Sequence, residues 1–381
     1  MVSGKGEKAL KILVCARGYN SGSENNIGNF ELDQAKALKA AGCDVRIASL
    51  DLRSPRRRRP LGIKKFALEK MRCVTANYFA SILPGSLEDK MGRHAAKKAF
   101  EYICKDGWKP DVIHAHFTEI ANAFADVANS SGAKFVITEH SSLMNSATSD
   151  LKSLRQAKYS YPKADRVIAV SSVLAHNIEK NVGVHTCVIG NVLDAASFNR
   201  PAKGSADNIF RFVSCGNLVE IKRFDVLLKA FEKLEDRSAQ LTIFGDGVLE
   251  AQLRSLAASL GLDSRVFFKG RQPRDVLAKE YEKSDAFVLA SRSETFGVAF
   301  IEAMSMGLPV IATKCGGPQD YVNESNGRLA EVNDPDSLAQ QMSFVMKNKD
   351  KFDSKLIMEG IIDKYSPKSI ARQLVDLYKG L

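Results

Sequence analysis

The chain has 381 residues but only one tryptophan, no Cys-x-x-Cys pair and no apolar run near the ~18 residues that a membrane span requires. Its seven cysteines, at 15, 43, 73, 104, 187, 215 and 315, are widely scattered and odd in number. That pattern favours buried free thiols in a reducing compartment over a disulfide framework or a zinc site. The first apolar stretch, Ile12 to Ala16, is far shorter than a signal-peptide core. The sequence therefore reads as cytoplasmic, with any membrane contact peripheral, on the inner face of the cytoplasmic membrane. No G-x-G-x-x-G directly follows the first strand of either half, which argues against a dehydrogenase.

What is present is an ordinary globular composition, 45% hydrophobic and 26% charged, at a length that predicts two to three domains. Charge is the exception. Residues 1–198 hold 29 basic and 19 acidic side chains, residues 199–381 hold 26 and 25, and residues 46–72 alone carry ten basic against two acidic. The net charge of +11 is thus a property of the first half.

Apolar periodicity predicts strands at Lys11 to Ala16, Val45 to Leu50, Val112 to His114, Phe135 to Thr138 and Val167 to Val170. Helices are predicted from Phe30 to Gly42, at 89–105 and near 119–130. After the polar stretch Asn199 to Asn208 the same alternation restarts, with strands at Phe210 to Ser214, Leu241 to Phe244, Val266 to Phe268, Ala286 to Leu289 and Pro309 to Ala312. The intervening helices are 224–234, 250–260, 298–306, 335–347 and 367–379. This predicts two doubly wound α/β domains with ligands outside the carboxyl ends of the strands, and a cleft between facing domains as the expected site.

The densest chemistry runs from Ala290 to Val310. A strand empties into a loop bearing Glu294, and a helix begins near Gly297 with Glu302 on its second turn. A carboxylate in that position can accept hydrogen bonds from sugar hydroxyls, while the free N–H groups around Phe296, Gly297 and Val298 suit a phosphate. Glu294 and Glu302 alone would more often be solvated charges. In their context of Ser-x-x-Glu-x-Phe-Gly, Glu-Ala-Met and Gly-x-Pro-Val, they resemble the E-x7-E signature of the retaining group 1 glycosyltransferases, found in bacterial polysaccharide and glycolipid synthesis.

That resemblance implies the GT-B fold: an acceptor-side Rossmann-like domain over 1–198, a nucleotide-sugar domain over 199–366 and a C-terminal helix, 367–381, crossing back to the first domain. It implies that Glu294 binds sugar hydroxyls, Glu302 the ribose, Lys222 the diphosphate and His140 the sugar. Around Lys222 the family usually has Arg where this chain has Asn217 and Gly where it has Arg223. Arg223 either replaces the missing charge or points outward. Gly245 and Asp246 resemble the glycine turn of the donor domain, Arg271 falls beside the nucleobase position and Gly28 matches the glycine loop near the donor phosphates. Gly316 and Gly317 match a structural turn, and the segment from Gly190 to Asp194, with Phe198, matches the interdomain segment. Glu139 either meets substrate or caps its turn. His114 and His116, two apart on a strand, lack a third ligand of suitable spacing, and no metal is expected.

The remaining feature is the arginine run Arg56, Arg57, Arg58 and Arg59, between prolines and followed by Lys64 and Lys65. It reads as an exposed loop leading into a short basic amphipathic segment whose Leu61, Ile63, Phe66 and Leu68 could enter an interface. An anionic membrane surface or an anionic lipid-linked acceptor is the expected partner, and an inert solvated loop is the alternative. Nucleic acid is not expected, since aromatic interleaving and base-reading motifs are missing. The sequence thus predicts a glycosyltransferase using a nucleoside-diphosphate sugar, UDP-linked, with a lipid-linked or glycan acceptor and no metal or other cofactor. The alternatives are a sugar-nucleotide 2-epimerase of the same fold and a non-catalytic membrane-binding relative.

Overall fold

The computed structural model describes residues 9–18, 29–52, 61–79, 83, 85–141, 144, 150–194, 197–198, 201–202, 207 and 209–381. Gly28 and the Arg56–Arg59 run lie outside them. The chain divides into two compact units, Met1–Val192 with Pro367–Leu381, and Leu193–Ser366.

The first unit contains β1 (Lys11–Arg17), α1 (Asn29–Ala40), β2 (Asp44–Asp51), β3 (Gly62–Leu68), β4 (Met71–Asn77), α2 (Gly85–Ile103) and β5 (Val112–His116). It continues with α3 (Thr118–Ser131), β6 (Lys134–Glu139), α4 (Leu151–Ser160), β7 (Arg166–Ala169), α5 (Ser172–Val182) and β8 (Thr186–Val188). The second unit holds β9 (Arg211–Cys215), α6 (Phe224–Glu232), β10 (Gln240–Phe244), α7 (Glu250–Ser259), β11 (Val266–Phe268), α8 (Arg274–Tyr281) and β12 (Ala286–Leu289). Then follow α9 (Val298–Met304), β13 (Val310–Thr313), β14 (Gly327–Ala330), α10 (Pro335–Lys347) and α11 (Ser354–Tyr365), and the chain ends with α12 (Pro367–Lys379) in the first unit.

Both sheets are built outward from a central first strand. The first runs β3-β4-β2-β1-β5-β6-β7-β8 and the second β11-β10-β9-β12-β13-β14. Every pair is parallel except β3 with β4. Ile12 to Ala16 of β1 are wholly buried because helices cover both faces of a parallel sheet, which is why a central strand reads as an unbroken apolar run. Local chemistry sets the helix ends. Asp334 caps α10 by accepting from the N–H groups of Asp336 and Ser337, with Pro335 at the first helical position.

Two features differ from the sequence reading. The basic segment carrying Lys64 and Lys65 is an edge strand, β3, paired antiparallel with β4 through a two-residue turn in which Glu69 and Lys70 both have positive φ. A turn of that hand normally carries glycine or asparagine. Here Lys36 pairs with the Glu69 carboxylate at 3.1 Å and Lys39 Nζ donates to the Glu69 carbonyl at 2.5 Å, so α1 holds the turn that local sequence does not specify. The units also divide at 192/193, six residues before the expected 198/199. Leu193 N donates to Tyr365 O at 2.8 Å and Ser305 Oγ to Phe198 O at 3.2 Å, tying Leu193 and Phe198 into the second unit.

Candidate active site

In the second sheet the strand order reverses between β9 and β12, so the loops leaving their carboxyl ends diverge and leave the crevice where doubly wound sheets bind ligands. Lys222 comes from the loop after β9 and Glu294 from the loop after β12. Lys222 Nζ donates to Glu294 Oε1 at 2.5 Å, and Ser291 Oγ donates to the same oxygen at 2.6 Å. The two loops are tied together by Arg292 N donating to Ile221 O at 2.8 Å. Glu294 is held through its backbone as well. Its N–H donates to Cys315 O, and its carbonyl accepts from Gly317 N, both at 2.8 Å. A Cβ on Gly317 would stand 2.4 Å from Phe296 Cα, so that turn needs glycine.

Gly297 begins α9 with φ +86, and Tyr321 Oη donates to the Phe296 carbonyl at 2.6 Å. The Phe296 ring is buried against Tyr321 and Tyr365, so only its backbone is available to a ligand, and Val298 opens a helix of seven residues. Glu302, also buried, meets Arg274 at 3.4 Å, and the same guanidinium donates to Asp194 Oδ2 at 3.1 Å. Arg274, unremarked in the sequence, is therefore the cation beside Glu302. Lying on a helix with no motif around it, it carried no signal.

The turns after β9, β10 and β11 stack backbone on backbone. Leu218 N donates to Asp246 O at 2.8 Å and Gly245 N to Gly270 O at 2.9 Å. A Cβ on Gly245 would lie 1.9 Å from Gly216 O, so this turn is a close approach. Asp246 pairs with Arg271 at 3.0 Å, with both side chains half exposed, and Asn217 is exposed. Arg223 does not join Lys222 and Glu294. With φ +50 it clamps Asp225 through two bonds of 2.9 Å and also donates to Asn333. Of the two alternatives left for Arg223, its guanidinium here is engaged by Asp225 and Asn333 and not by the Lys222–Glu294 pair.

The first unit gathers a separate cluster at the carboxyl ends of β1, β5 and β6. His114, His116 and His140 stack at ring separations of 4.7 and 5.2 Å, and His140 also lies against Phe30 and Phe117. Phe117, at φ +67, carries the Arg17 guanidinium 3.4 Å from its ring centroid. Burial pushes His114 and His140 down to about 3 and His116 well below its ordinary value, so the three rings are neutral. Glu139 is structural. Its carboxylate accepts from Thr118 N, Tyr161 Oη, His140 N and Ser141 N, which caps α3 and fixes the turn bearing His140. Gln34, His116 and Tyr378 of α12 join this cluster by hydrogen bonds without having been singled out as site residues. Nothing near Tyr378 in sequence could have shown it.

Lys64 and Lys65 are both exposed on β3, Lys65 with its ammonium 4.8 Å from the Tyr102 ring centroid. Among the described residues no helix is long and apolar enough to cross a membrane.

Residues 27–197 match the model described as Glycosyltransferase Family 4, and residues 196–361 match that described as Glycosyl transferases group 1. An uncharacterized glycosyltransferase of Methanocaldococcus jannaschii is 31% identical over 47% of this chain and 47% of its own length, so the chain spans about half of that curated relative. Among solved structures, sucrose-phosphate synthase from Thermosynechococcus elongatus superposes with a TM-score of 0.79 at 21% identity, covering 97% of this chain and 98% of that one. Anabaena HepE, in complex with UDP and glucose, gives 0.70 at 18% identity over 98% and 100%. At these identities the likeness is one of fold, and the fold is that of the GT-B glycosyltransferases.

Proposed function

We propose that the chain, whose residues 27–197 and 196–361 match glycosyltransferase family models, is a group 1 glycosyltransferase that transfers a sugar from a UDP-sugar to a lipid-linked or glycan acceptor with retention of anomeric configuration, in cell-surface polysaccharide or glycolipid synthesis. The carrying observation is the Lys222–Glu294 pair at the switch point of an all-parallel sheet.

The chemistry follows from the side chains. An ammonium has three N–H donors, and the Glu294 contact uses one of them. The remaining donors suit the oxygens of the diphosphate, whose negative charge grows as the glycosidic bond breaks. Backbone N–H groups at Gly297 and Val298 add to that stabilisation, so no metal is invoked. Glu294, oriented by Ser291, accepts hydrogen bonds from sugar hydroxyls. Glu302, held by Arg274, takes the ribose, and the turns bearing Asn217, Gly245, Asp246 and Arg271 border the nucleotide; Gly28, outside the described residues, is assigned to the phosphates by the sequence resemblance alone. Neutral His140 meets the transferred sugar. Arg56–Arg59, Lys64 and Lys65 attract an anionic membrane surface, with Arg223 left to its Asp225 contact.

Glu294→Ala and Lys222→Ala proteins should remain folded and lose transfer of label from UDP-sugars to an added acceptor. Full activity in both would remove the site assignment. A 2-epimerase would convert the nucleotide sugar without any acceptor, and an inverted anomeric product would remove the retaining reading.

A further inference from the structure

The histidine row of the first unit is joined to the C-terminal helix through one tyrosine hydroxyl. Tyr378, buried near the end of α12, has a single hydrogen-bond partner among the described residues, His114 Nδ1 at 2.5 Å. A buried O–H donates to whatever acceptor it has. His114 Nδ1 is therefore bare, and its proton sits on Nε2, which donates to Thr138 Oγ1 at 2.7 Å. The amide end of Gln34 faces the bare Nδ1 at 3.0 Å, where an oxygen would set lone pair against lone pair, so the NH2 group faces it. The same NH2 group lies 3.4 Å from His116 Nε2, which accepts. The proton of His116 is then on Nδ1, and it is donated to His140 Nε2 at 2.9 Å. His140 is left with its proton on Nδ1. That atom is buried and makes no hydrogen bond of regular geometry among the described residues, with Asn191 as its polar neighbour.

Resting on the reading of His140 as a sugar contact, we propose that Tyr378, Gln34 and His116 are positioning residues that hold His140 as its Nδ1–H tautomer, so that a sugar oxygen reaching Nδ1 on substrate binding finds a hydrogen-bond donor. Two groups distant in sequence, one on α1 and one on the C-terminal helix, thereby set the polarity of a ring that neither touches.

The test is long-range 1H–15N correlation on the full chain with 15N-labelled histidine, at a pH above 7. His140 should show a protonated Nδ1 and a bare Nε2. Gln34→Glu places an acceptor where the NH2 stood, so His116 should carry its proton on Nε2 and His140 should move its own from Nδ1 to Nε2. Transfer in that variant should fall about 10- to 100-fold, the loss expected when an acceptor faces an acceptor in a buried contact, chiefly in kcat and little in KM for the nucleotide sugar. A bare His140 Nδ1 in the unaltered protein, or a tautomer that Gln34→Glu leaves unmoved, overturns the relay. If Gln34→Glu does not fold, the spectrum of the unaltered protein decides alone. Full transfer by His140→Ala would overturn the sugar contact while leaving the spectrum to judge the relay separately.

Discussion

Removing Lys222 takes the cation from the Glu294 carboxylate in a nearly buried position, where the Ser291 hydroxyl still donates to it; the Lys222 and Glu294 side chains are 23% and 9% exposed, respectively. At 2.5 Å and an effective dielectric near 20, the Coulomb attraction of such a pair is about 7 kcal/mol. Desolvating each ion costs several kcal/mol, so the pair contributes little net stability, but deleting one partner exposes the uncompensated cost of the other. Discounting for the partial exposure of Lys222, Lys222→Met should lower unfolding stability by about 2 kcal/mol. Glu294→Gln should cost less, because an amide tolerates the site without a counter-charge. The double variant should be about 1–2 kcal/mol more stable than the sum of the single losses predicts. Urea unfolding of the four proteins at fixed pH measures that coupling. A value within about 0.3 kcal/mol of zero would mean that the two residues are independent, and the reasoning from the switch-point pair would fail.

Other expectations rest on separate contacts. Gly245→Ala, whose Cβ would lie 1.9 Å from a carbonyl oxygen, should destabilise by about 3 kcal/mol or more, against about 1 kcal/mol for Gly270→Ala, where φ is positive but space is open. Equal midpoints would refute the close approach. Burial raises Glu31 to about 7, so its neutral form is favoured in the folded state and stability is lost as pH rises from 4.5 to 7. Glu31→Gln should remove that loss and gain about 2–3 kcal/mol at pH 8 while gaining little at pH 4, and a pH-independent difference would refute it. His114 has the opposite sign. With its folded value near 3, stability falls as pH drops below 6.5, and His114→Gln should flatten that slope by about 1.4 kcal/mol per pH unit between 6 and 4. Alanine at Arg56 to Arg59 should cut salt-sensitive co-sedimentation with anionic liposomes, and unchanged binding would remove the membrane partner. Transfer should also survive EDTA, and a loss in EDTA that added divalent metal reverses would show that Lys222 is not sufficient.

The sequence by itself determined the alternation of strands and helices, because buried parallel strands must be apolar on both faces, as Ile12–Ala16 are. It also pointed to Glu294, Glu302 and Lys222, because these lie in local motifs with their own spacing. It missed the β3–β4 hairpin, since nothing between Leu68 and Met71 favours positive φ and the turn is held by lysines of a distant helix. The structure decided the questions of orientation. It turned Arg223 to Asp225, gave Glu139 to backbone and tyrosine donors, set Arg274 against Glu302 and brought Tyr378 to His114 across 264 residues of sequence. Local patterns fix which side chains leave the carboxyl ends of strands. Hydrogen-bond partners depend on which strand ends and helices the fold brings together, and that is a property of the tertiary structure, set by sheet order and helix packing.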